Sequence, residues 1–180
     1  MKALTITQPW ATLIAQGQKR IETRSWSTNY RGPLAIHAGK NLPGWVADFV
    51  RSVPEFTTVL GDLFDPRKQV LGDLPRGCIV ATCQLVAVKF IPLDCDGWDW
   101  IGPSGRRFDY TITDRERAFG DFTVGRYAWL LGDVRPLEQP IFVRGALGLW
   151  DTGSIKDEHG IPWRWRDVPA HENPYPLPVG

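Results

Sequence analysis

Hydrophobic positions change period several times along the chain, and each change predicts an element. Ala3-Leu4-Thr5-Ile6 alternates as a strand does. Pro9 then offers a first-turn residue with Thr7 or Gln8 available as cap, and Trp10, Leu13 and Ile14 fall at helical spacing before Gly17. The spacing predicts strand, short helix, turn. Lys19 to Ser25 reads as a second strand, with Arg20, Glu22, Arg24 and Trp26 on one face and Ile21 and Thr23 on the other. Alternation puts Lys19 with Ile21, so Lys19 joins the charged face only if it sits on the turn after Gly17, before the pleat begins.

Beyond a Gly32-Pro33 turn, Leu34–Ala38 is an apolar strand. Trp45, Phe49 and Val53 recur at i, i+4, i+8, which predicts an amphipathic helix over 43–53 lying on the core. Residues 54–76 hold no period and read as a loop-rich insertion. Residues 77–91 form the longest β-like run and predict a central strand. From 92 to 125 the chain turns polar and aromatic together, a surface excursion with one short helix over 114–119. Strands are expected at 127–132 and 140–143 around a DVRPLEQ turn. One domain over 1–172 and a Pro-rich tail over 173–180 complete the reading.

Composition adds limits. A chain of 180 residues and 20.3 kDa with 43% hydrophobic residues can bury a core in one domain. Nine tryptophans are the outlier, and most such rings belong to cores. Cys78, Cys83 and Cys95 show neither a disulfide framework nor CxxC spacing. MKALTITQPW does not read as a signal peptide, and no run nears about eighteen apolar residues, so a soluble cytoplasmic protein off the membrane is expected. Net charge is only +1, yet residues 1–40 carry six Lys/Arg against Glu22 alone. The positive charge gathers around GQKRIETR.

That motif can be read as a surface ion-pair ladder of little energetic weight. Its aromatic neighbours Trp10 and Trp26, with Gln8 close by, favour another reading: phosphates take charge-assisted hydrogen bonds from Lys and Arg while bases stack on flat rings. Glu22 would orient an Arg fork or accept from a base amino group. His37, His159 and His171 are scattered, no metal-ligand set is visible, and no cofactor is called for. Trp163-Arg164-Trp165-Arg166 suits either packing or stacking.

GQKRIETR also matches the GxKxxExR signature of ASCH domains, modules of the PUA-like group. The flanking ITQPWATLIAQ and YRGPLAIHAGK, and later LPRGCIVATCQLVAV and GRYAWLLGDVRPLEQPIFVRGALGLW, are similar to the same family. The resemblance implies an α+β fold, a small PUA-like β-barrel with helices packed at its ends, and a cleft between barrel and first helix. It implies binding of RNA or DNA, in a small footprint or at a single or modified base. Gly17, Lys19, Glu22 and Arg24 carry over as signature positions; Gln8, Trp10 and Trp26 join them on chemical grounds, with Arg144 and Gly145 of FVRG. The family also holds hydrolases of acylated nucleosides and reported ribonucleases. A hydrolytic alternative would make Lys19 the activated amine and Glu22 the proton acceptor, although Glu22 stands where those amidases have Thr.

Overall fold

The computed structural model describes residues 1–61, 71, 74–93, 100–101, 107–108 and 112–153. The WRWR segment, the Pro-rich tail, Cys95, His159 and His171 lie outside the described residues. In chain order the elements are β1 (Lys2–Ile6), α1 (Trp10–Ala15), β2 (Ile21–Arg24), β3 (Gly32–Ala38), α2 (Gly44–Ser52) and α3 (Pro54–Leu60). Then follow β4 (Cys78–Phe90), β5 (Trp100–Ile101), β6 (Arg107–Phe108), α4 (Asp114–Ala118), β7 (Tyr127–Phe142) and β8 (Leu149–Asp151).

Six strands form one mixed sheet in the order β2-β7-β4-β3-β1-β8, while β5 and β6 pair separately. β1 runs parallel to β3, and the remaining pairs are antiparallel. The sheet curls into a half-barrel, and the architecture is α+β in the PUA-like manner. Its curvature has a local source. β4 and β7 keep pairing through three register shifts, and β3 slips once against β4 at Ile36/His37. Each slip adds a bend and a stronger twist to the strand that carries it.

Helix α1 packs on β3, β4 and β7. Its Ala11 and Ile14 join the main core with Leu34, Ile36, Val80 and the fully buried Trp129, whereas Leu13 faces a second cluster with Val46, Val50, Phe56 and Phe119. One helix therefore ties the sheet to α2, α3 and the loop after α4. Gly17 ends it at φ 71°, a conformation that suits glycine, with its N–H on the Ile14 carbonyl.

Three expectations change. Residues 54–60 are helical, not loop: Pro54 and Glu55 open the helix favourably, and Phe56 and Leu60 bury one turn apart. The two strands around DVRPLEQ are a single strand of 16 residues. Its Pro136 and Pro140 are accommodated because β2 pairs only with Tyr127–Leu130, which leaves that flank of β7 without a β2 ladder to break. In α2 the packed face is Val46 and Val50, while Trp45 and Phe49 stay exposed.

Candidate functional site

β2 is the end strand of the sheet order, and a cavity of about 570 Å³ lies alongside it. That volume falls within the roughly 300–1,000 Å³ typical of small-ligand sites. Because the cavity runs along the strand, consecutive residues Glu22, Thr23 and Arg24 all border it. Thr23 thus shares a border with the residues that alternation set against it.

One wall is charged and internally paired. Arg24 Nε lies 3.0 Å from Glu22 Oε1, and Arg24 Nη2 donates to the Thr5 carbonyl at 2.8 Å. The guanidinium is thereby fixed in two directions, with Nη1 taking no part in those two contacts. Beside it, Arg126 Nε stands 3.2 Å from Asp121 Oδ2. Burial works against the Asp121 charge, but hydrogen bonds from the Thr123 hydroxyl and N–H, together with the Arg126 guanidinium, outweigh it and hold the carboxyl below its ordinary value. Thr23 links the two pairs. Its hydroxyl accepts from the Asp121 N–H at 3.2 Å, and its carbonyl accepts from Arg126 Nη2 at 3.3 Å.

The other wall is aromatic. Trp10 from α1 meets Trp45 and Phe49 from α2 at ring-centroid distances of 6.1 and 6.0 Å. Phe56 closes on the edge of Trp10 at 5.7 Å, so the rings support one another from behind. Trp45 is 58% exposed and Phe49 38%, a large apolar surface turned toward the cavity.

The residues singled out in the sequence fall in four places. Trp10, Glu22 and Arg24 come together in the cleft. Gly17, Lys19 and Gln8 are not among the residues that border it. Lys19 is on the turn before β2, but its side chain is only 1% exposed, with Nζ donating to the Ile21 carbonyl and 3.8 Å from Glu116 Oε1. Glu116 on α4 is as deeply buried, and its carboxylate accepts from the N–H groups of Arg20 and Ile21 at 2.9 Å each. Gln8 bridges inward as well, accepting from Thr12 N at 3.0 Å and donating to the Pro75 carbonyl at 2.7 Å. Trp26 lies past the end of β2 and packs edge-on against Trp129 at 4.7 Å. Arg144 belongs to a neighbouring cavity.

Trp45, Phe49, Asp121 and Arg126 were missed. Trp45/Phe49 and Val46/Val50 are two adjacent stripes of the same helix, and periodicity alone does not say which one packs. For Asp121 the available signal was Asp-x-Thr followed by Gly125, a turn-forming pattern in which the carboxylate caps its own loop.

The ASCH domain family model matches residues 4–101, more than half of the chain. The chain belongs to the ASCH domain family. Activating signal cointegrator 1 from Homo sapiens and that from Mus musculus are each 34% identical to it over 83 residues, which is 46% of this chain and 13% of theirs. The chain thus spans a small part of the curated relatives it matches. The ASCH match takes in the aromatic wall and the Glu22–Arg24 pair, while Asp121, Arg126 and Arg144 lie beyond it. Among the described residues, no three His, Cys, Asp or Glu side chains gather as a metal would require, and no helix is long and apolar enough to cross a membrane.

Proposed function

We propose that this ASCH domain binds RNA or DNA by taking a base, plain or modified, into the cleft between Trp10, Trp45 and Phe49 and the Glu22–Arg24 and Asp121–Arg126 pairs. The observation that carries the reading is the exposed Trp45/Phe49 surface opposite an anchored guanidinium. An apolar ring left in water is a binding surface in waiting, and stacking a base on it contributes about 1–3 kcal/mol. Arg24 offers donors to base-edge acceptors from a position already fixed, and Glu22 and Asp121 offer acceptors to exocyclic amino groups. With both arginines paired, the cleft is close to neutral, so selectivity rests on shape and hydrogen bonding more than on bulk charge.

The hydrolytic alternative draws no support from Lys19, whose ammonium is covered by β2 and held beside Glu116. The test is titration of labelled single- and double-stranded RNA and DNA at two salt concentrations. Binding with a shallow salt dependence, about 0.7–0.9 per phosphate contact over a few contacts, is expected. Arg24→Ala should weaken it about tenfold. Absence of binding at micromolar protein, or affinity untouched by Arg24→Ala, would sink the proposal.

A further inference from the structure

A second cavity, of about 770 Å³, adjoins the first and shares Thr5 and Thr7 with it. Its electrostatics are the reverse of its neighbour's. Lys40 and Arg144 border it, and among the described residues no carboxylate does and neither cation is engaged in an ion pair or hydrogen bond. In the first cleft each arginine is neutralised by its own carboxylate. The protein thus places an aromatic, charge-balanced compartment beside a cationic one.

The segment carrying Arg144 is held on both sides. His37 Nε2 donates to the Val143 carbonyl at 3.0 Å, and the Thr5 hydroxyl donates to the Ala146 carbonyl at 2.9 Å. Between these two ties Gly145 presses so closely that an added Cβ would stand 2.4 Å from the His37 ring and 2.8 Å from Thr5 Oγ1. Only glycine fits there, and its fit fixes where Arg144 leaves the backbone. Thr5 serves both compartments, with its hydroxyl clamping this segment and its carbonyl receiving Arg24.

We propose that the second cavity holds a phosphate of the nucleotide whose base occupies the first, with Lys40 and Arg144 as its cations and Thr5 and Thr7 as the ridge between base and phosphate. The inference rests on the base-binding reading and extends it: the unit recognised is a nucleotide, not a base alone. Charge-assisted hydrogen bonds to phosphate are among the stronger polar contacts available, and two cations that pair with no carboxylate among the described residues lose little there in making them.

The deciding experiment compares the wild type with Lys40→Ala/Arg144→Ala, both exposed positions, using nucleosides, their 5′- and 3′-monophosphates, and inorganic phosphate. Calorimetry gives affinity, and amide NMR shifts give location. Expected is equal nucleoside affinity in both proteins, a gain of about tenfold for one of the monophosphates in the wild type only, and phosphate-induced shifts at Gly39–Asn41 and Val143–Ala146. Nucleoside binding with no phosphate gain, or a gain that survives the double substitution, overturns the inference and leaves the base-binding reading standing. If no nucleoside binds, that reading fails, and inorganic phosphate decides alone. Shifts at those amides that vanish in the double variant uphold the phosphate site, and their absence overturns it.

Discussion

Lys19 and Arg24 are cations of one short motif, each close to a carboxylate, and they end in opposite environments. Lys19 lies under β2 beside Glu116, where the partners are backbone groups and no solvent reaches. Arg24 borders the cleft with Glu22, partly exposed. The difference shows that the motif does two jobs. Its first half, with Gly17, sets the path of the chain from α1 into β2 and locks α4 beneath it. Its second half borders the cleft. A charged residue in a motif is therefore assigned by the element that meets its side chain, and Lys19 is met by a buried carboxylate from nearly a hundred positions away.

The sharpest break of this comparison is Glu116→Ala. It removes the acceptor of two backbone N–H groups and leaves the buried Lys19 ammonium without its carboxylate, so denaturant unfolding should register a loss of about 3–5 kcal/mol. A loss under about 1 kcal/mol would mean that the inner pair holds nothing together. Next in size is Gly145→Ala. Its methyl collides with the His37 ring and the Thr5 hydroxyl, and about 1–3 kcal/mol of stability should go, accompanied by loss of the phosphate-dependent gain in affinity.

Arg24→Ala belongs at the other end. Its pair with Glu22 is partly solvated, so stability should change by about 1 kcal/mol or less while nucleic-acid affinity falls. The smallest effect concerns pH. Burial pushes the His37 pKa below its ordinary 6.5, only partly opposed by the bond to the Val143 carbonyl. The unfolded chain then binds a proton at a higher pH than the folded one. Stability is full above 6.5 and declines as pH falls from there toward the lowered folded value. Thermal melts at pH 7.5 and 5.5 should show this decline in the wild type and a flatter one in His37→Asn.

Much of the frame was legible because its signals are local. Alternation at Ala3–Ile6, the Gly17 stop and the Val/Ile run of 77–91 each correspond to an element as built. The long β7 was obscured by its prolines, which ordinarily interrupt a ladder but are harmless where β2 has already ended. Half of the cleft was legible too, since Trp10, Glu22 and Arg24 stand close in sequence. The remainder depends on which stripe of α2 the core accepts and on a loop from 119–126 reaching back to Thr23, both consequences of tertiary packing. Trp26 illustrates the same limit. It is beside the motif in sequence, yet its ring is taken up by Trp129, while Trp45, some twenty positions on, faces the cavity.

That last contrast yields the most direct test of the proposed binding cleft: calorimetric titration of a short single-stranded oligonucleotide against Trp45→Ala and Trp26→Ala. The cleft as described predicts that Trp45→Ala weakens binding about tenfold or more with little change in stability. It predicts that Trp26→Ala lowers stability and keeps the affinity of whatever fraction remains folded. Affinity lost in Trp26→Ala and retained in Trp45→Ala would contradict it.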